Sequence, residues 1–292
     1  MSIMPPMTAN DQPIRLPHGP LAVGGGPFVV GVLNVTPDSF SDGGRFTSAE
    51  GAVTAGRRMA DAGADVIDVG GESTRPGSSP VSADEQIRRT QPVIAALAER
   101  FGRDGPALSI DTRLACVARA ALDAGARIVN DITALRNDPE MADLAAERNA
   151  TVVLMHMQGT PATMQQQPSY DDVVREVRAF LADRVAAATA AGIARARIVI
   201  DPGIGFGKTR AHNLTILADL AAFRTVGVPV LVGPSRKRFI GEILGIKRPA
   251  DRLYGTLGAV AACILAGVEC VRVHDVAETR QVADLCAAIR RR

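Results

Sequence analysis

"RIVIDPGIGFGKT", residues 197–209, decides how the chain is organised, because its glycine-rich half resembles a nucleotide phosphate loop. That loop requires G-x-x-x-x-G-K-[ST], so that successive backbone N–H groups curl around the phosphates while the lysine reaches the outer ones. Counted back from Gly207-Lys208-Thr209, the first glycine falls on Pro202, which has no N–H to give, and Gly203 leaves the loop one residue too short. The stretch reads instead as an apolar strand closed by Asp201, turned by Pro202 and continued by a glycine-rich loop. Lys208-Thr209 then opens the next helix.

The same unit recurs from residue 28 onward. "FVVGVLN", "DVIDVG", "ALSIDT", "RIVNDI", "TVVLMHM", "RIVIDPG", "PVLVGPS" and "CVRVHDV" are short β-branched runs, eight in all. Between them lie segments of helical period such as "SADEQIRRTQPVIAALAERF" and "DDVVREVRAFLADRVAAATAAG". Parallel strands need long crossovers, and near-continuously apolar strands are buried on both faces. Eight such units predict a single-domain α/β protein, a (β/α)8 TIM barrel, over residues 28–292. A doubly wound sheet would usually have fewer strands. Residues 1–27, rich in Pro and Gly, read as an irregular or hairpin lead-in without the charged start and apolar core of a secretory signal.

Composition narrows the partners. Hydrophobic residues make up 47% and aromatics only 3%, so the core must be built from Ala, Val, Leu and Ile. A net charge of +2 is too balanced to predict nucleic-acid binding from bulk electrostatics. The longest apolar run, "LGAVAACILAG" at 257–267, is well short of the roughly 20 residues of a membrane helix and reads as a buried one. Cys116, Cys263, Cys270 and Cys286 form no C-x-x-C pair and read as reduced, buried, small hydrophobes of a cytoplasmic protein.

Nearly every run ends in a polar residue: Asn34, Asp68, Asp111, Asn130, His156, Asp201, Ser235 and His274. Strand C-termini of this fold line the active-site mouth. Singly, an Asp or Asn there can equally cap a helix or hold a turn; eight together are hard to explain that way. Cations follow the seventh and eighth runs: Arg236, Lys237 and Arg238 in "SRKRF", and Arg272 with His274 on one face of "VRVHDV". A solvated charge run is the plain reading of "RKR", but an R-x-H pair on an apolar strand is harder to dismiss. Asp111, Asn130 and Asp201 can pair with a flat, amino-substituted heterocycle. The mouth is thus bipolar, with ring recognition on one side and an anion on the other. The long polar stretches 36–47, 71–82 and 157–170 all follow strands on that face.

The segments "VLNVTPDSFSDGG", "IDVGGESTRPG", "SIDT", "VNDI", "LMHMQGTP", "DPGIGFGK", "GPSRK" and "RVHDV", in this order over residues 29–276, closely resemble the dihydropteroate synthase family of pterin-binding barrels. The resemblance implies a folate-biosynthesis transferase that joins 6-hydroxymethyl-7,8-dihydropterin pyrophosphate to 4-aminobenzoate, giving 7,8-dihydropteroate and pyrophosphate. It also implies a homodimer that is a sulfonamide target, without nucleic-acid or membrane partners. Carried over residue by residue, it makes Asp111, Asn130, Asp201 and Lys237 the pterin binders, with Met155, Phe206, Gly233 and Arg272 as further pocket walls. Pyrophosphate would fall to Asn34, Thr74, Arg272 and His274, with Mg²⁺ on Asn34 and, once the first loop closes, Asp42. The aminobenzoate site would use Phe40, Thr74, Arg75, Pro76 and Ser235. Asn34, Asp111, Lys237, Arg272 and His274 would be the catalytic set. Pro234 departs from the family pattern, where a small or apolar residue is usual, and would stiffen the turn before Ser235.

Two relatives of this reading differ in chemistry. A methyltetrahydrofolate-binding barrel serving a corrinoid methyltransferase would share the pterin side but predicts no pyrophosphate site and a cobalamin partner. The "SRK" and "RVHDV" cations argue against it, and the sequence has no D-x-H-x-x-G corrinoid signature. A catalytically silent homologue would have lost some polar strand ends, and none is missing. A metal hydrolase is disfavoured because His18, His156, His212 and His274 include no H-x-H or H-E-x-x-H pair.

Overall fold

The computed structural model describes residues 12–35, 48–72 and 80–292. A short antiparallel pair, β1 (Arg15–Leu16) and β2 (Gly19–Pro20), precedes the strands β3 (Phe28–Asn34), β4 (Val66–Gly70), β5 (Ala107–Asp111), β6 (Ile128–Asp131), β7 (Thr151–Met155), β8 (Ile198–Asp201), β9 (Leu231–Val232) and β10 (Cys270–Val273). These eight pair in parallel in the order β8-β7-β6-β5-β4-β3-β10-β9. A parallel bridge between Ile200 and Val230 joins the two ends, so the sheet closes into the barrel that the strand count predicts. Around it run α1 (Ser48–Asp61), α2 (Ala83–Phe101), α3 (Ala115–Asp123), α4 (Glu140–Glu147), α5 (Val173–Ala190), α6 (Arg210–Ala218), α7 (Ala221–Arg224), α8 (Arg238–Leu244), α9 (Leu253–Leu265) and α10 (Val276–Arg290).

Local chemistry starts and stops these helices. Ser82 accepts from the Glu85 N–H at the head of α2, and Asp172 from the Arg175 N–H at the head of α5. Gly102 and Gly245, at φ 61° and 70°, end α2 and α8 in the left-handed region that a side chain would strain. The seventh strand is shorter than its apolar run suggests. Pro229 has no N–H for a ladder, and the Val230 N–H goes to the buried Glu269 carboxylate at 2.9 Å, so regular pairing covers only Leu231 and Val232.

Strand alternation splits the apolar residues into two cores. Outward-facing side chains such as Val29, Ile67, Val129 and Val271 pack against the helices. The inward-facing Val30, Val66, Ala107, Ile128, Val153, Val199, Leu231 and Cys270 fill the barrel itself. Ile14, Leu16 and Leu21 join this inner cluster, so the hairpin β1–β2 plugs the barrel's bottom. Two fully buried carboxylates sew it in place. Asp65 accepts from Val29 N at 2.8 Å and lies 2.6 Å from His18 Nδ1, while Glu269 takes Gly24 N at 2.9 Å. The cysteines are free, and Cys263, Cys270 and Cys286 are buried as expected. Cys116, in the first turn of α3, is exposed, which corrects the expectation for that residue: a short helix carries one apolar face, and Ala115, Val117 and Ala118 occupy it.

Leu16→Ala removes a plug side chain that is only 4% exposed, and we expect a loss of about 2–4 kcal/mol. Urea unfolding with an unchanged slope measures it. A loss below about 0.5 kcal/mol would show that the lead-in is no part of the core.

Candidate active site

One row of residues crosses the C-terminal rim of the barrel, because Asn34 pairs with Gly70, Gly70 with Asp111, and Asp111 with Asn130 in neighbouring strands. Met155 and Asp201 form the same kind of pair on β7 and β8. The rim thus gathers, by register alone, polar groups far apart in sequence.

Arg272 on β10 ties this row together. Its neighbours Val271 and Val273 face the helices, so alternation turns the guanidinium inward. Nε donates to Asp68 Oδ2 at 2.7 Å and Nη2 to Asp111 Oδ2 at 2.8 Å. Asn130 Nδ2 donates to the same Asp68 oxygen at 2.8 Å. Asp68 is buried, and Arg272 keeps 22% of its side chain open toward the mouth. Burial works against the guanidinium, but the two carboxylates outweigh it and hold Arg272 above its ordinary range. Burial pushes Asp111 up to about 7 despite Arg272.

Across the mouth, burial raises Asp201, whose Oδ1 accepts from Gly203 N at 2.7 Å, and Lys237 opposes that shift. Lys237 is itself lowered to about 8 by burial, with Asp201 pulling the other way. Its ammonium sits 4.1 Å from the centre of the Phe206 ring, a cation–π contact. Phe206 packs with Met155, Ile132, Met157 and Met164 as an apolar wall. Gly233 follows β9 next to Arg272, and a Cβ there would lie 3.7 Å from the Arg272 Cβ. Ser235 Oγ lies 3.0 Å from His274 Nδ1 and accepts from the His274 N–H at 3.2 Å, which couples the seventh and eighth strand ends. The arrangement can bind a planar ring carrying N–H donors against Asp111, Asn130 and Asp201, and stabilise negative charge near Arg272 and His274.

Three readings of single residues change. The cations of "SRKRF" divide: Arg236 pairs with Asp275, Arg238 with Glu242 on the exposed face of α8, and Lys237 alone turns to the site. His156 does not point into the mouth. It follows the inward Met155, so alternation turns it the other way, where its ring meets Phe180 edge-on at 4.9 Å. Lys208 does not open a helix either. Thr209 is the cap of α6, paired reciprocally with His212, and Lys208 is buried with Nζ 2.9 Å from His156 Nδ1. Burial lowers Lys208 to about 7 and His156 to about 3. Asp68, visible in the sequence only as one strand end among eight, is the acceptor shared by Arg272 and Asn130; the signal was a carboxylate inside the apolar run "VIDVG". Phe40, Asp42, Thr74, Arg75 and Pro76 lie outside the described residues.

Comparison with known proteins gives the same reading. The pattern of the family described as "Pterin binding enzyme" matches residues 30–274. A dihydropteroate synthase of Escherichia coli K12 is 47% identical over 253 residues, which is 87% of this chain and 88% of that one. Among solved structures, Xanthomonas albilineans dihydropteroate synthase with 4-aminobenzoic acid superposes with a TM-score of 0.85 at 47% identity, covering 91% of this chain and 94% of that one. The same enzyme in complex with 7,8-dihydropteroate gives 0.83 at 44% identity, covering 91% and 95%. The shared barrel, the rim built from its strand ends and the match along most of the chain agree: the chain belongs to the dihydropteroate synthase family of pterin binding enzymes.

Proposed function

We propose that this chain joins 6-hydroxymethyl-7,8-dihydropterin pyrophosphate to 4-aminobenzoate, yielding 7,8-dihydropteroate and pyrophosphate. The observation that carries the reading is the composite rim, where Asp111, Asn130 and Asp201 stand as ring partners and Arg272, bonded to Asp111 at 2.8 Å, stands beside them with His274 as the partners of an anion. Asp111, Asn130, Asp201 and Lys237 bind the pterin ring, and Met155, Phe206 and Gly233 wall it. Asn34, Arg272 and His274 hold the pyrophosphate, and Ser235 borders the aminobenzoate.

The C–O bond between the pterin methylene and the pyrophosphate breaks first, its electron pair leaving on the pyrophosphate oxygen. Arg272 and His274 stabilise the charge that develops there, the kind of preorganised electrostatics that usually dominates catalysis. Asp111 and Asp201 stabilise the cationic pterin methylene. The arylamine nitrogen then forms the new C–N bond and releases a proton. The cation is electrophilic enough that no strong general base is needed.

Mg²⁺ suits the donors at this end. Among the described residues no group of three or more His, Cys, Asp or Glu is placed to hold a metal ion, but Mg²⁺ bound with substrate phosphates needs only one or two protein oxygens. The Asn34 amide oxygen would supply one at the rim, beside Asp111: a Cβ on Gly70 would lie 3.7 Å from it and from the Asp111 Cβ alike. Asp42 is the second ligand of this assignment. Bound there, the ion would add positive charge to the leaving-group side.

A homodimer completes the proposal. Ile243 and Leu244 of α8, Tyr254 and Leu265 of α9, and Leu285 and Ile289 of α10 are large apolar residues left exposed on neighbouring helices. Among the described residues no helix is long and apolar enough to cross a membrane, so that surface is not a spanning segment.

Three outcomes are expected. With the dihydropterin pyrophosphate, Mg²⁺ and 4-aminobenzoate, the purified chain forms 7,8-dihydropteroate and releases one pyrophosphate per product, and chelation abolishes both. Pterin binding without product would leave a silent pterin-binding barrel. Asp68→Asn, which removes one of the two charges that hold Arg272, lowers kcat/KM by about 10- to 100-fold, or about 1.4–2.7 kcal/mol; a change within twofold would show that Arg272 does not need this partner. Sedimentation gives twice the chain mass, and a monomer at micromolar concentration would refute the dimer.

A further inference from the structure

Lys208 is a buried charged group that the proposed chemistry does not use. Only 2% of it is exposed, and among the described residues no carboxylate oxygen lies within 4.0 Å of its ammonium. It donates instead to His156 Nδ1 at 2.9 Å and to the Phe206 carbonyl at 3.0 Å, with the His156 carbonyl at 3.4 Å. Such a charge stays buried only when its donors are satisfied. Accepting at Nδ1 places the imidazole proton on Nε2.

The three acceptors belong to two different loops. His156 begins the loop after β7, and Phe206 lies in the loop after β8. The loops touch backbone to backbone: a Cβ on Gly203 would come within 2.0 Å of the His156 carbonyl, and one on Gly207 within 2.5 Å of the Gln158 carbonyl. Flanking bonds hold the residues on either side of Phe206, since Gln165 Nε2 donates to Gly205 O at 2.9 Å and Tyr170 Oη to Gly207 O at 2.7 Å. The Phe206 carbonyl itself is held by Lys208. Phe206 in turn supports Lys237, whose ammonium stacks on its ring.

We propose that Lys208 is a positioning residue: its ammonium locks the loop after β8 onto the loop after β7 and so sets the Phe206 wall, with Lys237 stacked on it, at the height the pterin ring requires. This rests on the assignment of Phe206 and Lys237 to the pterin. The lysine of "GFGKT" therefore serves the ligand from behind, through a carbonyl, and touches no phosphate.

Steady-state kinetics of the full chain in a double-mutant cycle test it. Lys208→Met raises the KM for the dihydropterin pyrophosphate about tenfold and leaves the KM for 4-aminobenzoate within about twofold. Phe206→Ala raises the pterin KM by a similar factor, and the double variant is no worse than Phe206→Ala alone, because Lys208 acts only through that residue. A general packing role would instead make the two effects multiply or raise both KM values together, and either result overturns the proposal. Should Lys208→Met fail to fold, His156→Leu removes one acceptor, with about a threefold rise in pterin KM expected and an unchanged value overturning it. Phe206→Ala with an unchanged pterin KM would refute the pterin assignment, and the proposal with it, whatever Lys208→Met shows.

Discussion

A guanidinium held between two buried carboxylates is the contact on which the site depends. Removing Arg272 from water costs several kcal/mol unless its donors are met, and Asp68 and Asp111 meet them from two adjacent strands. The bonds therefore do more than neutralise charge. They fix the rim of β10 against β4 and β5, and through the shared oxygen of Asp68 they orient Asn130 on β6. With both carboxylates engaged from below, the exposed part of Arg272 is left facing the mouth, where the proposed chemistry puts the anionic leaving group.

The barrel separates stability from chemistry along its axis. At the bottom, carboxylates serve structure: Asp65 and Glu269 satisfy backbone N–H groups and fasten the hairpin plug. At the top, burial shifts Asp111 and Asp201 upward, and among the described residues Asp68 Oδ1 has no hydrogen-bond partner. A ligand with ring N–H groups, as proposed, would relieve that condition. The difference between the two ends is one of hydrogen-bond supply and not of residue type, which is why a carboxylate count alone does not locate a site.

Much of this was legible in the sequence, for a physical reason. Parallel strands buried on both faces write themselves as apolar runs, so eight strands and their order could be read directly. A polar residue that ends such a run has few places to go but the rim, and Asn34, Asp111, Asn130 and Asp201 all lie there, joined by Arg272 from inside the eighth run. What escaped depended on direction or on distant partners. His156 ends its run too, but it stands one residue past the inward-facing Met155 and so points at Phe180. Lys208 follows three glycines of positive φ, where the chain direction has no period to extrapolate. The hairpin was one of the two readings of the lead-in, but its plugging of the barrel was illegible because Ile14, Leu16 and Leu21 show neither a helical nor a strand period long enough to detect. The seventh strand was overread because its apolar run hides two prolines and an N–H committed to Glu269.

The central claim is that Arg272 stabilises the departing pyrophosphate and does not merely help to bind the pterin. Its most direct test is to compare kcat with the dissociation constant of the pterin substrate in Arg272→Gln, with unfolding checked alongside. The account predicts that kcat falls by about 100-fold or more, at least about 2.7 kcal/mol of barrier, while pterin affinity changes by less than about tenfold. Turnover within about twofold of the parent, a difference of only about 0.4 kcal/mol, would contradict it.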